Sequence, residues 1–515
     1  MRNREYFAVV LGILALVSTR TATPRAETRP SKGHAFSPMI PKTWDDAALA
    51  TLEVPLADPV GSPKHVSAEY YYKIPVRPIY KSYPIYAPGH EPQGYMDWLK
   101  QQEPQIVWDD KGHAPPLKTE ADWVKAGEIV FNTAINVGEN GITFSLPDVR
   151  SAAWYENTSM PLARGGILPF LNYTIRQKGK VELGSFSCAM CHSRVMPDGT
   201  ILRGAQGSIA FDHAVAYAFR TRLKPDRVRS FERTLFAAPW LRPDPYDVED
   251  LPVEEIARRH DVIPPGVLAR HRASPLFPVQ VPDLIGVKDR HYLDRTGLQQ
   301  QRSIVDLMRY AALNQGADNL ASFDGFIPVG GPDFRTLPDP SKFGRYSDAQ
   351  LYALALYVYS LKPPPNPNKF DALAARGQKV FNREGCAMCH TPPLYTNNKL
   401  TLAEGFTPPP GADQKYDILP ISIGTDPNLT LKTRRGTGYY KVPSLKGVWY
   451  RSMFGHSGWC ATLEDWFNPA RTRDDYVPTG FKPYGAKTYA VKGHPFGLDL
   501  SPDDKKALIA FLKTL

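Results

Sequence analysis

Two copies of one pentapeptide frame this chain of 515 residues: Cys188-Ala-Met-Cys191-His192 recurs letter for letter as Cys386-Ala-Met-Cys389-His390. They belong to a longer internal duplication. Gly127-x-x-Val130-Phe131-Asn132 returns as Gly377-x-x-Val380-Phe381-Asn382. Val281-Pro282-x-Leu284-x-Gly286-Val287-x-x-Arg290, ending at Gly297, returns as Val442-Pro443-x-Leu445-x-Gly447-Val448-x-x-Arg451, ending at Gly458. No gap interrupts that pair; its offset, from Val281 to Val442, is 161 throughout. Ser347 to Leu361 matches Ser501 to Leu515, with Ala353/Ala507, Leu354/Leu508, Tyr357/Phe511 and Leu361/Leu515 in register. Four blocks in one order predict two halves of common plan: helix, Cys-x-x-Cys-His, loop, Val-Pro-x-Leu segment, terminal amphipathic helix.

Punctuation sets the boundaries. Ser347 and Ser501 stand where each terminal helix needs an N-cap. Pro363-Pro364-Pro365-Asn366-Pro367 follows the first of these helices, and proline cannot continue a helix, so 363–368 reads as a linker. It separates an N-terminal domain over 119–362 from a C-terminal domain over 369–515. Gly127 lies far upstream of Cys188 whereas Gly377 lies just before Cys386, which places an insertion at 135–183 of the first half. Residues 27–118 are rich in Pro and Tyr, as in Tyr70-Tyr71-Tyr72, and read as an extended segment with a few short strands at most. The 50 prolines argue against a long-helix bundle and for helices with long, loop-rich connections. The fold class expected is mainly α.

Residues 1–26 carry an export-signal pattern: Arg2 and Arg4, the apolar run Phe7 to Val17, then small and polar residues. Eleven helical residues rise about 16 Å, roughly half a bilayer core. No other stretch approaches a membrane span, so a periplasmic or secreted protein without a permanent span is expected. The net charge is +10; residues 1–26 hold four arginines and one glutamate, and without them it is +7. The basic residues are scattered and form no stripe with interleaved aromatics, which excludes a nucleic-acid partner. They read as a solvated surface that would favour an acidic partner.

Cys-x-x-Cys-His is the attachment signal for c-type haem. Two cysteines one helical turn apart reach both vinyl groups of one porphyrin, and the next histidine points at the iron. A zinc site needs four ligands per metal, and here the two sets lie about 200 residues apart. A redox dithiol has no need of the trailing histidine twice. Two covalent haems are therefore expected, on Cys188/Cys191 and Cys386/Cys389, with His192 and His390 as fifth ligands. A sixth protein ligand makes an electron-transfer haem; an open position admits O2 or peroxide. Met453, His456 and His494 are the candidates in the second half, both histidines lying between glycines that let a loop approach a flat cofactor. The first half has Arg295 opposite His456 and nothing opposite His494, which suggests an open N-terminal haem and a closed C-terminal one. Met190 and Met388 read as packing residues, Cys460 as a buried small hydrophobe and His213 as a helix-surface histidine.

From about residue 120 to 515 the chain resembles the bacterial di-haem cytochrome c peroxidase superfamily, which includes the di-haem enzyme maturing methylamine dehydrogenase and the RoxA-type rubber oxygenases. Both pentapeptides carry the likeness, with Val442 to Val448, Phe454-Gly455-His456-Ser457-Gly458 and the closing Leu500 to Leu515. It implies two cytochrome-c-like helical domains facing each other, often with a calcium ion between them. It also implies that the C-terminal haem transfers electrons and the N-terminal haem meets the oxidant. Where the peroxidases have a methionine ligand, this chain has Ala470. Gly493-His494-Pro495-Phe496-Gly497 is similar to the RoxA-type branch, implying His390/His494 ligation with His456 as the alternative. The acid–base glutamate of the peroxidases falls on Gln301, an amide that does not shuttle protons. His291 and Asp294 are the substitute distal candidates. The expectation is a RoxA-like oxygenase acting with O2 on an apolar unsaturated substrate. The alternatives are a peroxidase reducing hydrogen peroxide with electrons from a small redox protein, and a non-enzymatic di-haem electron carrier.

Overall fold

The computed structural model describes residues 36–270, 272–314 and 318–515; the export pattern over 1–26 lies outside them. Among the described residues helices take 33% and strands 15%, so "mainly α" is corrected to a mixed architecture with small sheets. The helices that build the site are α1 (Glu120–Asn132), the single-turn α2 (Cys188–Cys191), α3 (Phe211–Thr221), α4 (Val253–Asp261), α5 (Ile304–Leu313) and α6 (Asp348–Ser360), then α7 (Ala372–Arg383) and α8 (Pro502–Lys513).

The duplication in sequence is a duplication in packing. Helix α1 crosses α6, and α7 crosses α8. A Cβ on Gly127 would collide with the Ala353 carbonyl oxygen and lie 2.7 Å from Tyr357 Cβ; on Gly377 it would collide with the Ala507 carbonyl oxygen and lie 2.8 Å from Phe511 Cβ. Both crossings thus bring backbone against backbone where the missing side chain permits it. The termini are built as the serines predict. Ser347 accepts from Gln350 N, and the Gln350 side chain accepts from Ser347 N. Ser501 accepts from Asp504 N at 3.2 Å.

The four-stranded sheet draws on the two stretches read as extension and insertion. Strand β1 (Ser82–Tyr86) belongs to the first; β2 (Asn136–Gly138), β3 (Ile167–Gln177) and β4 (Lys180–Ser185) belong to the second. They form one antiparallel sheet in the order β1-β3-β4-β2. Tyr83 faces Tyr173, and Tyr173 faces Leu183, aromatic and aliphatic residues suited to a pleated surface. This sheet and α3 share one core that includes Phe170, Phe211 and Phe219. Strand β4 ends three residues before Cys188, so the sheet fixes where α2 begins. In the second half β5 (Leu400–Leu402), β6 (Ile418–Ser422) and β7 (Tyr439–Lys441) form a sheet of order β6-β5-β7, and β7 delivers the chain into Val442-Pro443. No helix among the described residues is long and apolar enough to cross a membrane.

Candidate functional site

Each pentapeptide makes a helical turn at the wall of a cavity. Ser187 caps α2 by accepting from Met190 N at 3.0 Å. Cys188, Cys191 and His192 line 1160 Å³ of atom-free space that opens to solvent. Cys386, Cys389 and His390 line a second such space of 1570 Å³. Burial pushes Cys188 up to about 12 and Cys386 up to about 11, so both are protonated thiols and poor dithiol redox centres.

The repeated Val-Pro segments orient the histidines. His192 Nδ1 lies 3.0 Å from the Pro282 carbonyl oxygen. His390 Nδ1 lies 3.1 Å from that of Pro443 and 3.3 Å from that of Tyr395. A carbonyl only accepts, so Nδ1 holds the proton and Nε2 keeps the lone pair that a metal needs. Burial lowers His192 to about 4 and His390 below its ordinary value, keeping both rings neutral at pH 7. The repeated arginines then lock the loops. Arg290 donates to the carbonyls of Asp283 and Ile285, and Arg451 donates to the equivalent carbonyls of Ser444 and Lys446.

In the second cavity the His494 ring centroid lies 6.4 Å from that of His390. Two imidazole–metal bonds of about 2 Å each, plus half of either ring, fill that distance. Arg471, fully buried, holds the loop by donating to the carbonyls of Trp466, Gly493 and His494 at 2.8, 3.0 and 2.9 Å. No motif marks this arginine in the sequence. Gly493 has φ +77°, and a Cβ there would run into the Gly424–Thr425 peptide. Its role is loop against loop, a correction to the idea that it brings the loop close to a flat cofactor. His456 also lines the cavity, stacked on Tyr440 at 4.0 Å with Nε2 buried and without a partner. Burial pushes both rings down to about 3, helped for His494 by His390 and Arg471 and for His456 by Arg295. Met453 is not part of the lining; it packs against the main core.

The first cavity gathers only part of the expected distal set. Asp294 lines it, but its carboxylate is tied in an ion pair to Arg435 and accepts from Thr296 N at 3.1 Å. His291 lies outside the lining, exposed, and pairs with Asp417 at 3.0 Å. Gln301 lies outside the lining, buried, and spends its amide on the carbonyls of Val287 and Arg290, at 2.6 and 3.0 Å. It holds a loop in place. His213 binds the Thr158 carbonyl at 3.0 Å and does not reach the cavity. A residue with no sequence signal does: Arg270, its guanidinium 4.2 Å over the Phe186 ring and its Nε buried without a partner. Cys460 is fully buried, as a small hydrophobe would be.

Two thiols, a neutral imidazole and a largely apolar cavity form a donor set that fits a thioether-linked haem in each half. No family model matches the chain, and no curated protein matches it. Among solved structures, it is similar to the hydrazine synthase of Kuenenia stuttgartiensis pressurised with xenon, at 15% identity over 57% of this chain and 89% of that one, with a TM-score of 0.29. A MauG-like protein associated with microbial copper homeostasis overlaps at the same 15% identity, coverages of 57% and 89%, and TM-score of 0.29. Likeness at this level defines neither a family nor a chemistry.

Proposed function

We propose that the chain is an exported di-haem c-type cytochrome oxidoreductase. Haem would be attached through Cys188 and Cys191 over His192 in the first half. In the second it would be attached through Cys386 and Cys389 between His390 and His494. One observation carries this reading: each histidine beside a pair of thiols gives its Nδ1 proton to the proline of a repeated Val-Pro segment and stands at the wall of a cavity. When bound, haem supplies an iron that exchanges single electrons and, with its sixth position open, takes a small oxidant.

The protein's own groups divide the labour. His494 faces His390 and makes the second site an electron-transfer centre. Among the described residues His192 is the only histidine in the first lining, in keeping with an open site there. Phe131, Ile135, Leu268, Leu307 and Val358 wall it with hydrocarbon that would exclude water and receive an apolar chain. The one carboxylate among its described residues, Asp294, is held by Arg435 and is not free to pass a proton to a leaving oxygen. This favours O2 over peroxide as oxidant, and a RoxA-like oxygenase on an apolar unsaturated substrate. The peroxidase reading, with a small redox protein as electron donor, would need an acid–base group that the described lining lacks.

The test is oxygen uptake by purified holoprotein supplied with polyisoprene or an unsaturated fatty acid. The reading predicts substrate-dependent uptake with carbonyl products. Rapid peroxide consumption coupled to oxidation of reduced cytochrome c, without oxygen uptake, would establish the peroxidase instead. Neither activity would leave an electron carrier.

A further inference from the structure

A third, smaller space lies between the two cavities, and its charged walls are Asp283, Arg290, Arg295, Lys441 and Arg451. Arg295 lines all three spaces. Lys441 and Arg451 line the second as well. Four cations meet one carboxylate here. Asp283 is already engaged: its Oδ2 accepts from Tyr450 at 2.8 Å and from Arg451 Nε at 2.9 Å. The other cations find only carbonyls. Arg290 has those of Asp283 and Ile285, Arg295 reaches those of Gln280 and Val281 at 3.4 and 3.5 Å, and Lys441 Nζ is 3.1 Å from that of Tyr292. Carbonyls solvate a cation without neutralising it, so a positive excess faces a sheltered space. Burial, reinforced by repulsion from the neighbouring arginines, drives Lys441 well below its ordinary pKa and Arg295 down to about 9. Such a cluster calls for anions.

Resting on the two-haem reading above, we infer that Arg290, Arg295, Lys441 and Arg451 seat the carboxylates of both haems, and that this fixed cluster replaces the calcium ion that family resemblance places between the halves. The thioethers hold one edge of each porphyrin, and the carboxylates leave from another. Arg295, at the wall of both cavities, serves the two groups together. With the haem carboxylates seated, the four fixed cations nearly balance them and Asp283, which leaves no large negative excess for a divalent cation to relieve. Among the described residues, no three His, Cys, Asp or Glu side chains are grouped to hold a metal ion. The change at this position is specific to the first half, since Arg295 stands where its repeat partner is His456.

Spectroelectrochemical titration of the holoprotein tests this, with haem content measured on every sample and each titration repeated with EGTA and with added calcium. A nearby cation favours the reduced haem, so its loss favours the oxidised one. Arg295→Met is expected to keep both haems and to lower both midpoint potentials. Each should shift by a tenfold or greater change in the reduction equilibrium, 59 mV for one electron. Neither chelator nor calcium should move the potentials of the wild type. Potentials that stay in place in a fully loaded variant, or wild-type potentials that follow calcium, overturn the inference and leave the two-haem reading standing. A wild type without haem refutes that reading itself. If Arg295→Met does not fold, Lys441→Met gives the same readout at the second haem, and an unmoved potential there overturns the inference equally.

Discussion

In both halves a proline carbonyl decides which nitrogen of a histidine keeps its proton, and so which one is left to bind metal. The pentapeptides were readable because five adjacent residues hold the whole signal. The Val-Pro repeat was visible too, yet its task was not, because His192 and Pro282 meet across 90 residues of chain. His494 was a candidate for its flanking glycines, one of which serves a different contact. Arg471 and Arg270 left no trace, since their partners assemble only in three dimensions. His291 and Gln301 show the converse: alignment placed them near the site but could not give the direction of their side chains. One prediction belongs at this scale. Reduced wild-type protein should bind one carbon monoxide for every two haems, His494→Ala should bind two, and His456→Ala should stay at one. Absorption spectra during gas titration read the count; two bound by His456→Ala with one by His494→Ala would exchange the roles of these residues.

At the scale of elements, the paired crossings make matching predictions. Gly127→Ala and Gly377→Ala each force a methyl group onto a facing carbonyl. Each should lower stability by about 1–3 kcal/mol or more, read as a fall of several degrees in the midpoint of thermal unfolding. A variant as stable as the parent would show that the crossing yields easily. A second case lies between α3 and α4. His260 is fully buried, 2.7 Å from Asp212 and 3.1 Å from Glu232, while Tyr246 donates to the other Glu232 oxygen. Burial alone would lower its pKa; the carboxylates of Glu232 and Asp212 outweigh that and raise it to about 10. A raised pKa stabilises fully below the ordinary value of 6.5 and progressively less as pH climbs to about 10. Urea midpoints should therefore fall across that window, and His260→Gln should flatten the fall while lowering stability at pH 6. An unchanged slope would mean that the ring is not charged in the folded protein.

The helices were legible at this scale because period and caps are local. The sheet was not. Strand β3 is buried in runs, Leu168–Leu171 and Tyr173–Ile175, so the alternation that marks a strand is missing. Its partner β1 sits in a Pro/Tyr-rich stretch that reads as extension, some 80 residues earlier, and pairing at that range leaves no mark in either segment.

For the whole molecule, a duplicated unit has been made asymmetric by a few side chains. One half gained His494 and the Arg471 that steadies it; the other carries Arg295 at the wall shared by both cavities. In the proposed reading, one closed and one open site would follow from those differences, since the core crossings are alike in both halves. All of this rests on porphyrin being held covalently by both pentapeptides. Intact mass measured on the exported, denatured protein decides it. The account predicts two tetrapyrrole additions that survive unfolding, and one in the double variant Cys386→Ala, Cys389→Ala; a mature protein carrying one addition or none would contradict it.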